Sequence, residues 1–315
     1  MFPDPVPEPD RLRQPISRRT LLRDTAAGAA ALVLPGLLTA HVTDPDVERL
    51  TTWAAALRRG NLAGGSVPLG RAAIRVGELA RGTPYEPGTL EAYLRAGGSP
   101  RAVEPLTLSL SRFDCGTLVE SCLAVARVAR EGGAPTWRRF GSAIERMRYR
   151  GGKRRGYASR LHYFSEWIAD GTERGLVRDL GPELGGVEDA RPLRFMTAHR
   201  ASYRALQDAR VFREIGAVER RLDARPRRMV PAHRIPDVSG QIQTGDILAF
   251  ATAIPGLDVT HSALAYRDGE GALRVLHAPL SGGVVEITTR TLREYVAAIR
   301  RATGVLVARP LAAPD

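Results

Sequence analysis

Apolar residues recur at helical spacing in the first part of the chain. The segments VERLTTWAAALRR and RAAIRVGELARG both show this period, and the second ends at Gly82, before the turn-rich stretch GTPYEPG. A third helix is predicted to follow Cys115, because the apolar residues after it share one stripe of a helix. The residues of that stripe are Leu118, Val119, Cys122, Leu123 and Ala126. The pattern therefore predicts three helices, each with a face towards a core.

After Gln241 the pattern changes to the alternation typical of strands. The predicted strands are TGDILAFAT, DVTHSALAY, ALRVLHAP and VVEIT, followed by a helix over TLREYVAAIRRA and a last strand over GVLVARP. Helices early and strands late predict the α+β class with a mainly antiparallel sheet. We expect an N-terminal helical region over residues 41–110 and a second domain over 111–315, with an insertion of helical pieces and glycine- or proline-containing connections at about 131–240.

The two predicted strands DVTHSALAY and ALRVLHAP carry one histidine each. His261 and His277 lie symmetrically about Gly269, so a hairpin centred there would place them directly opposite, with Cβ atoms roughly 5 Å apart. A two-residue Asp268-Gly269 turn would instead put Leu276 opposite His261. Patterning favours the symmetric register, because the slipped one brings an arginine onto the histidine face. We expect an odd-length loop that uses both Gly269 and Gly271.

The first forty residues resemble an export signal. Ser17–Arg23 reads SRRTLLR and precedes the apolar run AAGAAALVLPGLL, a combination similar to a twin-arginine signal. An ordinary amphipathic helix with two chance arginines is the alternative. The apolar run is shorter than the ~20 residues that a membrane span needs, so no stable membrane anchor is expected. We predict export over residues 1–40, a mature chain from about His41, and a periplasmic or extracellular location.

The composition indicates a folded, basic protein. Hydrophobic residues make up 43% of 315, and the formal net charge is +12, carried almost wholly by arginine because Lys153 is the sole lysine. Such a surface attracts polyanions, and cell-wall polymers, lipid headgroups and nucleic acid are the possible partners. The predicted export and the lack of interleaved basic and aromatic residues exclude nucleic acid.

The two cysteines differ in their expected roles. Cys115 in the first turn of its helix would face unpaired N–H groups and the positive end of the helix dipole, which favours a thiolate. Cys122 lies about 10.5 Å further along the helix, beyond the ~7 Å limit for a disulfide. Cys122 is therefore predicted to be a buried apolar residue. For Cys115, the residues alone leave catalysis and core filling equally open.

A nucleophilic thiol needs a base and a group that orients the base, and the hairpin offers both. One imidazole could contact the thiol of Cys115 while the other fixes its tautomer. Alternatively, the two histidines could be a buried pair whose hydrogen bonds are made within the core, or they could form part of a metal site. Because H-E-x-x-H is absent and the other histidines are scattered, we predict neither a metal nor a cofactor. Those histidines are His41, His162, His199 and His233.

FDCGTLVE, followed far downstream by THSALAY and LHA, resembles the NlpC-type cysteine hydrolases of bacterial cell walls. Cys115, His261 and His277 match the positions of their nucleophile, base and orienting residue. The stretches GTPYEPGTLE, FMTAHRASY and TGDILAFATAIPGLDVTHSALAY extend the likeness over about residues 70–310. There the chain is similar to the N-acetylmuramoyl-L-alanine amidase-like family, long catalogued as a domain of unknown function.

The resemblance implies a papain-like core and cleavage of the bond between muramic acid, or its anhydro form, and L-alanine in peptidoglycan fragments. Cys115 would attack the carbonyl, His261 would move the proton, and His277 would hold His261. Four further residues are implied to contact the substrate: Tyr85, Asp114, Arg160 and His162. Arg160 and His162 would bind sugar or stem-peptide carboxylates.

Two other functions remain open at the level of sequence. The same chemistry could cut the stem peptide between D-glutamate and the diamino acid. Alternatively, the chain could be an inactive module that binds the cell wall through its basic surface. The expected partner is peptidoglycan or a soluble muropeptide in all three cases, and we expect a monomer.

Overall fold

The computed structural model describes residues 44–279 and 283–312, so the predicted export segment lies outside the described residues. The helices are α1 Pro45–Arg59, α2 Leu69–Leu79, α3 Ala92–Arg95, α4 Cys115–Arg130, α5 Trp137–Arg148, α6 Phe164–Glu173, α7 Phe195–Ala198, α8 Ala209–Asp223, α9 Ile235–Val238 and α10 Leu292–Ala298. The strands are β1 Val177–Asp179, β2 Val187–Asp189, β3 Arg227–Pro231, β4 Ile247–Thr252, β5 Val259–Arg267, β6 Leu273–His277, β7 Glu286–Thr291 and β8 Ala302–Pro310.

The strands form one antiparallel sheet in the order β2-β3-β8-β4-β5-β6-β7, and β1 also pairs with β8. The α+β class and the antiparallel sheet predicted from the sequence are confirmed. The segment at about 131–240 supplies five helices and also β1, β2 and β3, so it extends the sheet as well as adding helices. No helix among the described residues has the length and apolar character needed to cross a bilayer.

The sheet separates two layers of core. On one face α1, α2 and α4 pack against inward residues of the central strands, including Leu264 and Leu276, and Cys122 is buried there as predicted. On the other face α10 covers Phe250, Ala263 and Val275. A third apolar cluster joins α7 and α8 to the loop that contains Tyr157 and Tyr163. This last cluster fixes the segment between those tyrosines, which contains Arg160 and His162.

The register of the β5–β6 hairpin differs from the prediction. The symmetric register would pair Leu276 with Ser262, but Leu276 lies opposite Leu264, and the loop spans residues 268–272. The prediction that His261 and His277 are directly opposite is therefore wrong. The reason is the loop: Asp268 accepts hydrogen bonds from the N–H groups of Glu270 and Ala272 and closes a wider, still odd-length turn.

The offset preserves the side on which each residue lies. A shift by an even number of residues leaves every side chain on its face of the sheet. Ala263 and Val275 accordingly lie in the same apolar cluster. His261 and His277 become diagonal neighbours, a separation that large side chains still bridge.

Candidate active site

Cys115 is the first residue of α4, and a capping box fixes this start. The carboxylate of Asp114 accepts the N–H of Thr117 at 2.7 Å, and the hydroxyl of Thr117 accepts the N–H of Asp114 at 2.9 Å. The chain before it is held by a backbone bridge between Tyr85 and Phe113. The backbone N–H of a first helical residue has no partner within its helix. Cys115 thus presents both its thiol and its amide at a helix N-terminus.

The thiol of Cys115 lies against the start of β5. The side chain is 9% exposed, and the backbone N–H and hydroxyl of Ser262 face its sulfur. Burial raises the pKa of Cys115, and the carboxylate of Asp114 raises it further, whereas Ser262 opposes the shift. The predicted preference for a thiolate is therefore not met. Burial and a nearby negative charge outweigh the helix terminus, and the resting thiol is protonated.

The two histidines of the hairpin are joined to each other. Nε2 of His261 lies 2.8 Å from Nδ1 of His277, a hydrogen-bond distance. Burial, with a smaller contribution from His277, lowers the pKa of His261 to about 3. Burial alone lowers the pKa of His277 to about 4. Both imidazoles are neutral near pH 7, and Nδ1 is the nitrogen of His261 left to act as a base.

Aromatic rings fix the orientation of this histidine pair. Phe250, opposite His261 on β4, stacks on the imidazole with ring centroids 5.8 Å apart. Tyr295 on α10 meets the His277 ring edge-on at 5.0 Å and contacts Phe250 at 5.1 Å. The four rings make a closed cycle of contacts, which restrains rotation of both imidazoles.

Cys115 borders a cavity of about 90 Å³. Five of the residues singled out from the sequence line it, although they come from distant parts of the chain: Tyr85, Asp114, Cys115, Arg160 and His162. His261 and His277 are not in the wall. The described hydrogen-bonding contacts of the Cys115 thiol are with Ser262, which lines the cavity and precedes Ala263 and follows His261 on β5, while the two imidazoles contact each other.

Arg160 is almost completely buried and already carries counter-charges. Its guanidinium lies 2.5 Å from Glu91 and 3.4 Å from Glu104, and it packs over the ring of Tyr157 at 4.9 Å. The side chain is 2% exposed. Any substrate carboxylate at Arg160 would therefore join two protein carboxylates rather than meet an isolated cation.

His162 lies in the same wall as a neutral ring. Its Nε2 is 2.9 Å from the carbonyl oxygen of Tyr157, and it packs on the Tyr157 ring at 4.4 Å. Burial, followed by the charge of Arg160, lowers the pKa of His162 well below its ordinary value. His162 would contact a substrate as a neutral hydrogen-bonding group.

We expect Arg160→Met to lower the free energy of unfolding by about 3 kcal/mol or more, because it leaves the buried carboxylate of Glu104 without its cation. Urea unfolding followed by circular dichroism would measure the change. Arg155→Met is the matched control, since the Arg155 side chain is exposed. Equal stability of the two variants would contradict the structural role assigned to the ion pairs.

Several residues that line the cavity could not be identified as site residues from the sequence. Glu120 is buried and paired with Arg148 at 2.7 Å, and Asp258 is buried with its carboxylate accepting the N–H of Ser165 at 2.8 Å. Trp167 lines the cavity and also belongs to the apolar core. These residues meet through the insertion, so only the fold brings them together. No group of His, Cys, Asp or Glu in residues 44–279 or 283–312 is arranged to hold a metal ion.

Solved structures of other proteins share this fold. A structure of an N-acetylmuramoyl-L-alanine amidase from Bacteroides uniformis ATCC 8492 matches with a TM-score of 0.70 and 27% identity, covering 77% of this chain and 98% of that one. A protein from Bacteroides fragilis described as a putative xylanase matches with a TM-score of 0.67 and 31% identity over 74% and 99% of the chains. Protein LPG0564 from Legionella pneumophila str. Philadelphia 1, with a TM-score of 0.60 and 17% identity over 84% and 94%, shows the fold alone.

No curated protein matches the chain significantly. The family model described as N-acetylmuramoyl-L-alanine amidase-like matches residues 75–304, which is most of the chain and includes Cys115, His261 and His277. The chain belongs to the N-acetylmuramoyl-L-alanine amidase-like family.

Proposed function

We propose that this protein is an exported cysteine amidase. It hydrolyses the amide bond between N-acetylmuramic acid, or its anhydro form, and L-alanine in peptidoglycan fragments. The observation that carries the proposal is the placement of Cys115. The thiol lies at a capped helix N-terminus, borders the cavity and faces Ser262, whose neighbour in the chain is His261, the proposed base, which is hydrogen-bonded to His277.

The proposed reaction assigns one step to each of these residues. The sulfur of Cys115 attacks the lactyl carbonyl carbon while its proton passes to Nδ1 of His261. The backbone N–H of Cys115 stabilises the oxyanion that forms. The C–N bond then breaks, the proton moves from His261 to the amine of L-alanine, and a thioester remains. Water, activated by the same imidazole, hydrolyses the thioester and restores the thiol.

The cavity would bind the fragment through groups of several kinds. Tyr85 and Asp114 lie in its wall with Cys115, at the end where the bond would be cut. Arg160 and His162 would contact sugar or stem-peptide groups from the insertion. The papain-like core, the twin-arginine route and a periplasmic or extracellular site of action belong to the same proposal. The basic charge of +12 suits an anionic polymer such as the cell wall.

A glycosidase is the rival that the Bacteroides fragilis description suggests. Such an enzyme needs two carboxyl groups beside the scissile bond, one of them free to donate a proton. The cavity carboxylates are engaged elsewhere: Asp114 caps α4, Glu120 pairs with Arg148, and Asp258 accepts backbone N–H groups. The geometry therefore favours amide over glycoside cleavage.

Digestion of a defined disaccharide-peptide, with products weighed by mass spectrometry, tests the proposal. Release of an intact stem peptide with a free L-alanine amine is expected. Release of only the distal peptide would favour the D-glutamyl endopeptidase, and cleavage within the disaccharide would favour the glycosidase. Binding without any product would identify an inactive wall-binding module.

We expect kcat/KM to stay level over an unusually broad pH range. Catalysis needs a neutral imidazole and a protonated thiol, so activity falls when either ionises. Because the histidine pKa values lie at about 3 and about 4, the acid limb is expected well below the ordinary value of 6.5. Because the pKa of Cys115 is raised, the alkaline limb is expected above 9.0. A narrow bell with limbs near 6.5 and 9.0 would contradict the burial argument.

A further inference from the structure

His277 carries a second polar contact that the proposed mechanism does not use. Its Nδ1 faces His261, but its Nε2 is buried and makes no hydrogen bond of ordinary geometry with any described residue. The nearest opposite charge is Oε1 of Glu286, 3.5 Å from that nitrogen. Glu286 lies directly across from His277 in the β6–β7 ladder, and its side chain is 49% exposed. The carboxylate of Glu286, on the edge strand of the sheet, is thus within 3.5 Å of a buried ring nitrogen.

The tautomer of His277 determines whether His261 can be a base. If Nε2 of His277 carries the proton, its Nδ1 has a lone pair and accepts the Nε2–H of His261. Nδ1 of His261 is then free of a proton and can accept one from the thiol of Cys115. If the proton sits on Nδ1 of His277 instead, it is donated to Nε2 of His261. The remaining proton of His261 then sits on Nδ1, the wrong nitrogen for catalysis.

The groups around His277 differ in how they affect its tautomer. His261 reaches His277 from β5, Tyr295 from α10 and Glu286 from β7. His261 and Tyr295 both contact Nδ1 and can either donate or accept, so neither selects a tautomer. A carboxylate only accepts. Glu286 therefore attracts an N–H at Nε2 and repels a lone pair there.

We propose that Glu286 is a positioning residue that holds His277 in the Nε2–H tautomer and so keeps Nδ1 of His261 available as the base. This inference rests on the proposed function for its catalytic consequence, although the tautomer itself can be observed without substrate. In the proposed mechanism Cys115 gives its proton to His261, which is hydrogen-bonded to His277, and His277 in turn lies beside Glu286. Tyr295 contacts both Phe250 and His277 and so helps to restrain the orientation of the two imidazole rings.

Nitrogen-15 NMR of histidine-labelled protein measures the tautomer directly. Long-range proton–nitrogen correlations distinguish a protonated from an unprotonated ring nitrogen, and the signals of His277 are assigned by their loss in His277→Gln. The wild-type protein is expected to show the proton on Nε2. In Glu286→Gln the two forms should mix, and in Glu286→Lys, which places a cation at Nε2, the Nδ1–H form should dominate. Glu270→Lys, exposed in the β5–β6 loop, is the matched control and should leave the spectrum unchanged.

Turnover provides the second measurement. A mixture of tautomers lowers the competent fraction of enzyme, so Glu286→Gln is expected to lower kcat roughly two- to tenfold with little change in KM. Glu286→Lys should lower kcat further. A His277 protonated on Nδ1 in the wild-type protein, or an unchanged tautomer in both Glu286 variants, would overturn the inference. If the tautomer shifts as expected but Cys115→Ala retains full activity, Glu286 keeps its positioning role and the cysteine mechanism fails instead.

Discussion

Cys115→Ala is expected to lower kcat/KM on a muramoyl-peptide by about 10⁴-fold or more, because it removes the thiol that would form the covalent intermediate. The substitution removes one sulfur from a cavity wall, so the free energy of unfolding should change by less than ~1 kcal/mol. Steady-state kinetics combined with urea unfolding separates these two effects.

Cys122→Ala is the matched control, because it also removes a thiol but leaves Cys115 in place. Cys122 is 1% exposed and packed between α4 and the sheet, so its truncation should lower the free energy of unfolding by about 1 kcal/mol and leave kcat nearly unchanged. If the Cys115 variant retained activity while the Cys122 variant lost it, the assignment of the nucleophile would be wrong.

His261→Gln is expected to lower kcat by about 10³-fold, since an amide cannot accept the thiol proton during attack. Glutamine retains a hydrogen-bonding group towards His277, so the hairpin should remain folded. The substitution should lower kcat and leave KM nearly unchanged, because His261 acts in the transition state and does not line the cavity. Kinetics at several substrate concentrations would show this division.

His162→Gln provides the comparison within the same cavity. His162 lines the wall and is neutral, but it belongs to no relay with the thiol. Its substitution should raise KM and alter kcat little. Equal losses of kcat in the His162 and His261 variants would contradict the assignment of His261 as the base.

The helix start and the strand faces could be predicted from local sequence. Asp114 before Cys115 is a standard N-cap residue, and the alternation in β5 and β6 fixed which side chains share a face. The predicted register of the hairpin is wrong because register depends on the turn, and the sequence of residues 268–272 permits several odd loop lengths. The two histidines still meet, since the error was an even number of residues.

Electrostatics could not be read from the sequence. A helix N-terminus predicts an acidic thiol, but burial and the adjacent Asp114 carboxylate reverse the sign of the shift at Cys115. The sequence predicts that Arg160 binds a substrate carboxylate, whereas in the structure Glu91 and Glu104, far away in the chain, already pair with it. Both outcomes depend on which distant residues the fold brings within a few ångströms, and local pattern carries no information about that.

The mass of the covalent intermediate tests the central claim most directly. The protein is mixed with a disaccharide-tripeptide, quenched in acid after a short interval, digested, and analysed by mass spectrometry. The account predicts that the peptide containing Cys115 gains the mass of the saccharide with its lactyl group, bound as a thioester, and nothing from the stem peptide. An adduct that includes L-alanine and D-glutamate would contradict the bond assignment, and turnover with an adduct on any other residue would contradict the nucleophile.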